Sequence, residues 1–159
     1  MNTNSLGFKD RSGRQIPLKS EKKRLLFIGD SVTEGIGLNY EKTFVGLIDN
    51  ALKKKYSVLN AGVVSYSPII YWKKVEDLIN NTGLEFDELI VYLDISDIQD
   101  EALSYKLNKN WVVKAVKGQI GDRDKPMLQS EFRKENTILW AWLRDLAKRE
   151  KNPYQRNLF

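Results

Sequence analysis

The sequence predicts an α/β domain with helices on both faces of a parallel sheet. Three observations carry that prediction. Short apolar runs at residues 24–29, 56–60 and 88–93 recur along the chain, each bounded by turn residues. Stretches of helical period separate them, at 41–55 and from Ser67 to about Asn80. The third run, Glu88-Leu89-Ile90-Val91-Tyr92-Leu93, is almost continuously apolar, the mark of a strand covered on both faces. Strand and helix in alternation imply a three-layer α/β/α sheet of flavodoxin-like, doubly wound type, of which three strands are legible.

In chain order, residues 1–23 are polar, basic and turn-rich, with Ser12-Gly13 and Pro17, and read as an extended lead-in over the surface. The domain proper occupies 24–159, with its C-terminus read as truncated. The first strand stops at Gly29-Asp30-Ser31. In the next helix Phe44, Ile48, Ala51 and Leu52 share a face, and Lys53-Lys54-Lys55 fall in the last turn, where cations favour the helix dipole. After the second strand, Ser67 is a good N-cap and Pro68 a good first helical residue. That helix sets Trp72, Val75, Leu78 and Ile79 on one face and ends near Gly83.

The third strand opens into residues 94–101, the most acidic stretch of the chain. Beyond it, Trp111-Val112-Val113 fits a strand or part of a helix, and 118–126 an exposed loop. A last helix begins near Ser130, with Phe132, Leu139, Trp142, Leu143 and Leu146 toward the core, and stops at Asn152-Pro153. There is no internal repeat.

Composition narrows the function. At 42% hydrophobic and 30% charged residues over 159 positions, the chain is globular, with enough length for one core. It has no cysteine, so disulfides and thiolate chemistry are excluded. It has no histidine either, so any mechanism works without one or borrows one. No apolar signal core and no run of about 18 apolar residues is visible, giving a cytoplasmic location by default and an extracytoplasmic one if an anchor has been removed. Residues 1–24 carry 7 basic and 2 acidic groups, 25–100 carry 6 and 12, and the rest 13 and 7, so basic tails flank an acidic centre. Solvated tails, not a nucleic-acid stripe, are the expected reading.

Ser31 lies just past the carboxyl end of a strand, where open parallel sheets bind ligands. A serine on such a turn can act as a nucleophile, with free backbone N–H groups beside it. Residues 29–37 lack the Lys-Ser/Thr of a phosphate-binding loop and the third glycine of a dinucleotide fingerprint.

Gly29-Asp30-Ser31 and the glycine-containing turn after it resemble the first block of the SGNH (GDSL) hydrolase family, and the resemblance extends over about residues 24–101. It implies an ester hydrolase, lipase-like or esterase, or a related O-acyltransferase, with Ser31 as nucleophile. The glycine of the family's second block, a backbone oxyanion donor, falls on Ser65. The third block, Gly-x-Asn-Asp, reads Asp94-Ile95-Ser96-Asp97, which puts the Ser96 hydroxyl in the oxyanion role beside the N–H groups of Ser31 and Ser65. Asp94 and Asp97 are the candidate substitute acid or base. The last block, Asp-x-x-His, is absent, and is expected in chain beyond this sequence. Leu6-Gly7-Phe8-Lys9-Asp10 resembles a segment preceding the first strand in larger members, sugar O-acyltransferase relatives among them.

No cofactor and no metal is expected. Asp94, Asp97, Asp100 and Glu101 do not have the spacing of a calcium loop and read as a solvated acidic stretch. The expected partner is a small acyl ester or acylated sugar, with no nucleic acid and no membrane span. The alternative is a non-catalytic module of the same fold that binds an acylated or carbohydrate ligand. The outer edge of the third strand predicts a homo-oligomer or a C-terminal segment laid against it.

Overall fold

The computed structural model describes residues 2–110 and 112–115. Their architecture is a five-stranded, mostly parallel sheet flanked by helices. In chain order the elements are β1 (Asn2–Thr3), β2 (Lys9–Asp10), β3 (Lys23–Ile28), α1 (Ser31–Glu34), a 3-10 turn (Tyr40–Lys42), α2 (Phe44–Leu52), β4 (Tyr56–Asn60) and α3 (Pro68–Asp77). A π-turn (Leu78–Thr82), β5 (Glu88–Val91), α4 (Ile95–Leu103), β6 (Tyr105–Leu107) and β7 (Val113–Ala115) follow.

The sheet order is β1-β2-β4-β3-β5. Its centre is parallel: Leu26 faces Leu59 of β4 on one side and Leu89 of β5 on the other. Each parallel step is made through a helix, as the alternating pattern requires. The two short strands at the β4 edge run antiparallel, with Lys9 opposite Asn60. The lead-in is therefore stitched into the domain instead of lying over it. Phe8 and Ile16 join Leu26, Leu59, Ala61, Leu78 and Leu84 in the core on one face of the sheet. On the other face Leu25, Phe27, Val45 and Val58 pack with Phe44, Ile48 and Leu52 of α2.

Arg24 fixes the lead-in from beneath. Its guanidinium donates to the carbonyls of Leu18, Glu85 and Pro17 at 2.9, 2.7 and 2.8 Å. Lys9 does the same from above, its ammonium reaching the carbonyl of Gly35 at 2.6 Å.

Several expectations change in detail. The helix predicted over 41–55 is a 3-10 turn followed by α2, because Thr43 accepts from the Gly46 amide and starts a new helix there. Ala51 is exposed, while Phe44, Ile48 and Leu52 do face the core. On α3 the buried side chains are Ile69 and Tyr71, with Leu78 just beyond; Trp72 and Ile79 are exposed. The helix is rotated from the predicted stripe because the half-buried Lys74, its ammonium over the rings of Phe8 and Tyr66 and donating to the Ala61 carbonyl, takes part of the inward face. The stretch 94–101, read as solvated and acidic, caps and forms most of α4 (Ile95–Leu103), and Asp97 and Glu101 are buried in it. Val113 proves to be strand, in a hairpin with β6.

β5 is not covered on both faces among the described residues. Ile90 packs toward α2, but Leu89 and Val91 are exposed because β5 is the last strand of the sheet there. The predicted loop at 118–126 and the helix from Ser130 through Leu146 lie outside the described residues, as does Trp111. No helix of the described residues is long and apolar enough to cross a membrane.

Candidate active site

β3 delivers Ser31 to the carboxyl end of the sheet. Asp30 ends the strand and caps α1, its Oδ1 accepting from the Val32 amide at 2.9 Å. Ser31 is the first helical residue and is half-buried. Its hydroxyl donates to Asp30 Oδ2 at 3.0 Å. α1 is a single turn, closed by Gly35 in the left-handed region at φ 69°. The Ser31 amide precedes the first intrahelical donor and has no partner among the described residues, as expected at a helix start.

The turn after β4 packs directly on this one. Val63 donates from its amide to the Gly29 carbonyl at 3.0 Å, and Val64 to Glu34 Oε2 at 2.7 Å. Gly62 is required: a Cβ there would lie 2.6 Å from the Glu34 amide nitrogen. Ser65 follows at φ 60°, the left-handed conformation that glycine adopts freely. The residue predicted to replace a glycine thus keeps a glycine-like backbone. Its amide has no partner among the described residues, and its carbonyl accepts from the Tyr105 hydroxyl at 2.7 Å.

The third element is the start of α4. Asp94 caps it, accepting from the amides of Ser96 at 2.7 Å and Asp97 at 3.4 Å. Asp97 returns the bond, its Oδ2 accepting from the Asp94 amide at 2.9 Å, which completes a reciprocal capping box. The Asp97 Oδ1 accepts from the Tyr71 hydroxyl of α3 at 2.5 Å. Ser96 directs its hydroxyl at Asp94 Oδ1, 2.6 Å away, with Asp30 Oδ2 at 3.3 Å. A hydroxyl has one proton, so in this arrangement Ser96 serves a carboxylate.

Three carboxylates meet here. Asp30, Asp94 and Asp97 can each offer an oxygen within 4.8 Å of the others, a spacing open to a cation; Asp100 and Glu101 are outside that group. Their surroundings move the acidities of Asp97 and Asp94 apart. Asp97, fully buried and beside the charges of Asp30 and Asp94, is pushed up to about 6. Burial acts upward on Asp94 too, but the hydroxyl and amide of Ser96, the Asp97 amide and the Asp30 carboxyl hold it below the usual range. Burial and the Asp97 partnership raise the Tyr71 phenol, so it stays a donor. Nearby, burial brings Lys74 down to about 8, although Glu34 acts in the opposite sense.

The fold therefore brings Ser31, Ser65, Ser96, Asp94 and Asp97 to one end of the sheet. Sequence reasoning missed two members, Asp30 as the carboxylate touching Ser31 and Tyr71 as the anchor of Asp97. The first was legible, since an Asx residue before a helix start caps it and must lie close by. The second comes from a helix 26 residues away in sequence and left no local signal.

No family model and no curated protein matches the chain. Among solved structures it is similar to AlinE4, an SGNH-hydrolase family esterase, and to a mutant of that esterase. In each case the identity is 21%, the TM-score 0.44, and the match covers 51% of this chain and 44% of the other. The match thus spans less than half the length of those proteins.

Proposed function

We propose that the chain bears the nucleophile and oxyanion donors of a serine-dependent acyl-ester hydrolase of the SGNH kind. In this reading the Ser31 Oγ attacks the acyl carbonyl, and its proton moves toward the Asp30 carboxylate. The oxyanion is taken by the N–H groups of Ser31 and Ser65. Collapse breaks the ester C–O bond, the leaving oxygen takes the proton back from Asp30 and departs as the alcohol, and water then attacks the acyl-enzyme to give the acid and restore the Ser31 hydroxyl. One observation carries the reading: two amides without a partner among the described residues lie on adjoining turns, one of them on the residue whose hydroxyl stands at a strand's carboxyl end.

A carboxylate in the third block would oppose a developing oxyanion if it were aimed at one. Asp94 is turned onto the amides that begin α4, away from the role of facing an oxyanion. A carboxylate is nevertheless a weak base for a serine hydroxyl. Full turnover therefore calls for a histidine from outside this sequence, and the chain alone retains only the part of catalysis that positioning and oxyanion donors supply.

The test is a fluorophosphonate probe with peptide mapping. Slow labelling at Ser31, lost in Ser31→Ala, and ester turnover near background are expected. Vigorous turnover by the 159-residue chain, or labelling indifferent to Ser31→Ala, defeats the proposal.

The hydroxyl–carboxylate pairing of Ser31 and Asp30 favours a second reading, a module that binds acylated sugars by their hydroxyls without cleaving them. It predicts no labelling, together with saturable binding of an acetylated sugar that Asp30→Ala abolishes.

A further inference from the structure

At the opposite end of the sheet from Ser31 the chain folds around a cavity of about 370 Å³. It is built where β3 and β4 begin and where α2 ends, so no residue of the serine site contributes to it. Five cationic side chains line it, Arg11, Arg14, Lys22, Arg24 and Lys53, against one carboxylate, Asp49. Even with Asp10, the partner of Arg14 at 2.8 Å, set against them, three positive charges are left over.

The partners of these cations are unusual. Arg11 pairs with Asp49. Lys22 and Lys53 have no carboxylate within ion-pair distance among the described residues; their ammoniums reach a backbone carbonyl and Asn50 Oδ1, at 2.8 and 3.1 Å. Arg24 is 1% exposed, yet its guanidinium rests on neutral carbonyls alone, and its Nε has no acceptor. Asp87, which accepts from the Arg24 amide at 2.7 Å, and Glu85 offset part of that charge without a hydrogen bond to the guanidinium, and four more cations are gathered round the same space. Ile16, Pro17, Val58 and the half-buried Tyr56, with Ser20 and Ser57, complete the lining, so the cavity is shaped and not a flat charged face.

We infer that this cavity is an anion site for a small phosphoryl-bearing molecule. The volume lies at the small end of ligand pockets, with room for one or two phosphoryl groups and a compact remainder. Arginine forks and lysine ammoniums together are the set that holds phosphate oxygens. The concave shape, with a single aromatic ring, separates it from a nucleic-acid surface, where basic groups track a backbone between stacking rings.

Calorimetric titration with pyrophosphate at about 50 mM salt tests the inference, low salt being chosen to limit screening. Saturable binding tighter than about 1 mM is expected. The double variant Lys22→Glu/Lys53→Glu should weaken it by about tenfold or more, a size suited to two charge-assisted contacts. Lys23→Glu/Lys54→Glu is the control, with the same change of charge on exposed neighbours outside the lining, and should leave the affinity within about threefold, because exposed charges are screened. Ser31→Ala should bind pyrophosphate as the parent does, which separates this site from the proposed hydrolase site. Equal weakening by both double variants would reduce the effect to net charge and overturn the inference. So would absence of saturable binding, or an RNA oligomer that binds more tightly and depends equally on Lys23.

Discussion

The Ser31 hydroxyl donates to the carboxylate of its immediate neighbour, Asp30, at 3.0 Å. The same carboxylate caps α1 through its other oxygen. One side chain thus sets the start of the helix and the direction of the serine proton.

Asp30→Asn separates those duties. Asparagine caps a helix about as well as aspartate, so stability in urea should change by less than about 1 kcal/mol. If the carboxylate draws the Ser31 proton, the labelling rate should fall by about 10²-fold, the low end for a positioned base. Unchanged labelling would leave Asp30 as a cap only.

Asp97 should titrate well above an ordinary aspartate. Its carboxyl is pushed up to about 6, from 3.8, by burial and by its two acidic neighbours. Between those values the native chain binds more protons than the unfolded one, so this group lowers stability as pH rises from about 4 to 6. Carbon-13 NMR of the aspartate carboxyls checks the first statement, and urea midpoints across that window, compared with Asp97→Asn, check the second. Tyr71→Phe removes a donor from a buried carboxylate and should cost about 1–3 kcal/mol at pH 7.

Lys74 acts in the opposite sense. Burial lowers its ammonium to about 8, from 10.5. Across that window the unfolded chain holds the extra proton, so the parent should gain stability relative to Lys74→Met as pH rises from about 8 to 10.5. A parallel pair of stability curves would show that Lys74 is as well solvated folded as unfolded.

Ser65→Gly probes the strained turn. Relief of the left-handed conformation is worth about 1–2 kcal/mol, offset by about 0.5–1 kcal/mol of added chain freedom when unfolded. The variant should be as stable as the parent or slightly more so, and, because its amide is kept, Ser31 labelling should persist. Ser65→Val, β-branched at φ 60°, should lose both stability and labelling.

Much of this site was legible in the order of residues. An apolar run broken at Gly29-Asp30-Ser31 forces the chain to turn at the sheet's end, and Ser31 is found there. The glycine-like backbone at Ser65 was signalled only by the family resemblance, which lays a glycine on that position. The acidic stretch after β5 was harder. A run such as Asp94 to Glu101 looks the same whether its helix is bathed in water or pressed against α3, and only Tyr71 decides. The stripe on α3 misled for a related reason: Lys74, counted as a surface residue by its charge, turns its ammonium inward over Phe8 and onto the Ala61 carbonyl, while Trp72 faces out.

The long reach of Lys9 to Gly35 makes the first ten residues a latch on the serine turn. Clipping the chain between Asp10 and Arg11 would take away that ammonium and the strand carrying it, and the one-turn helix bearing Ser31 would lose its brace from a cut some twenty positions upstream. Limited proteolysis at the amino end should therefore silence probe labelling while the central parallel strands stay intact.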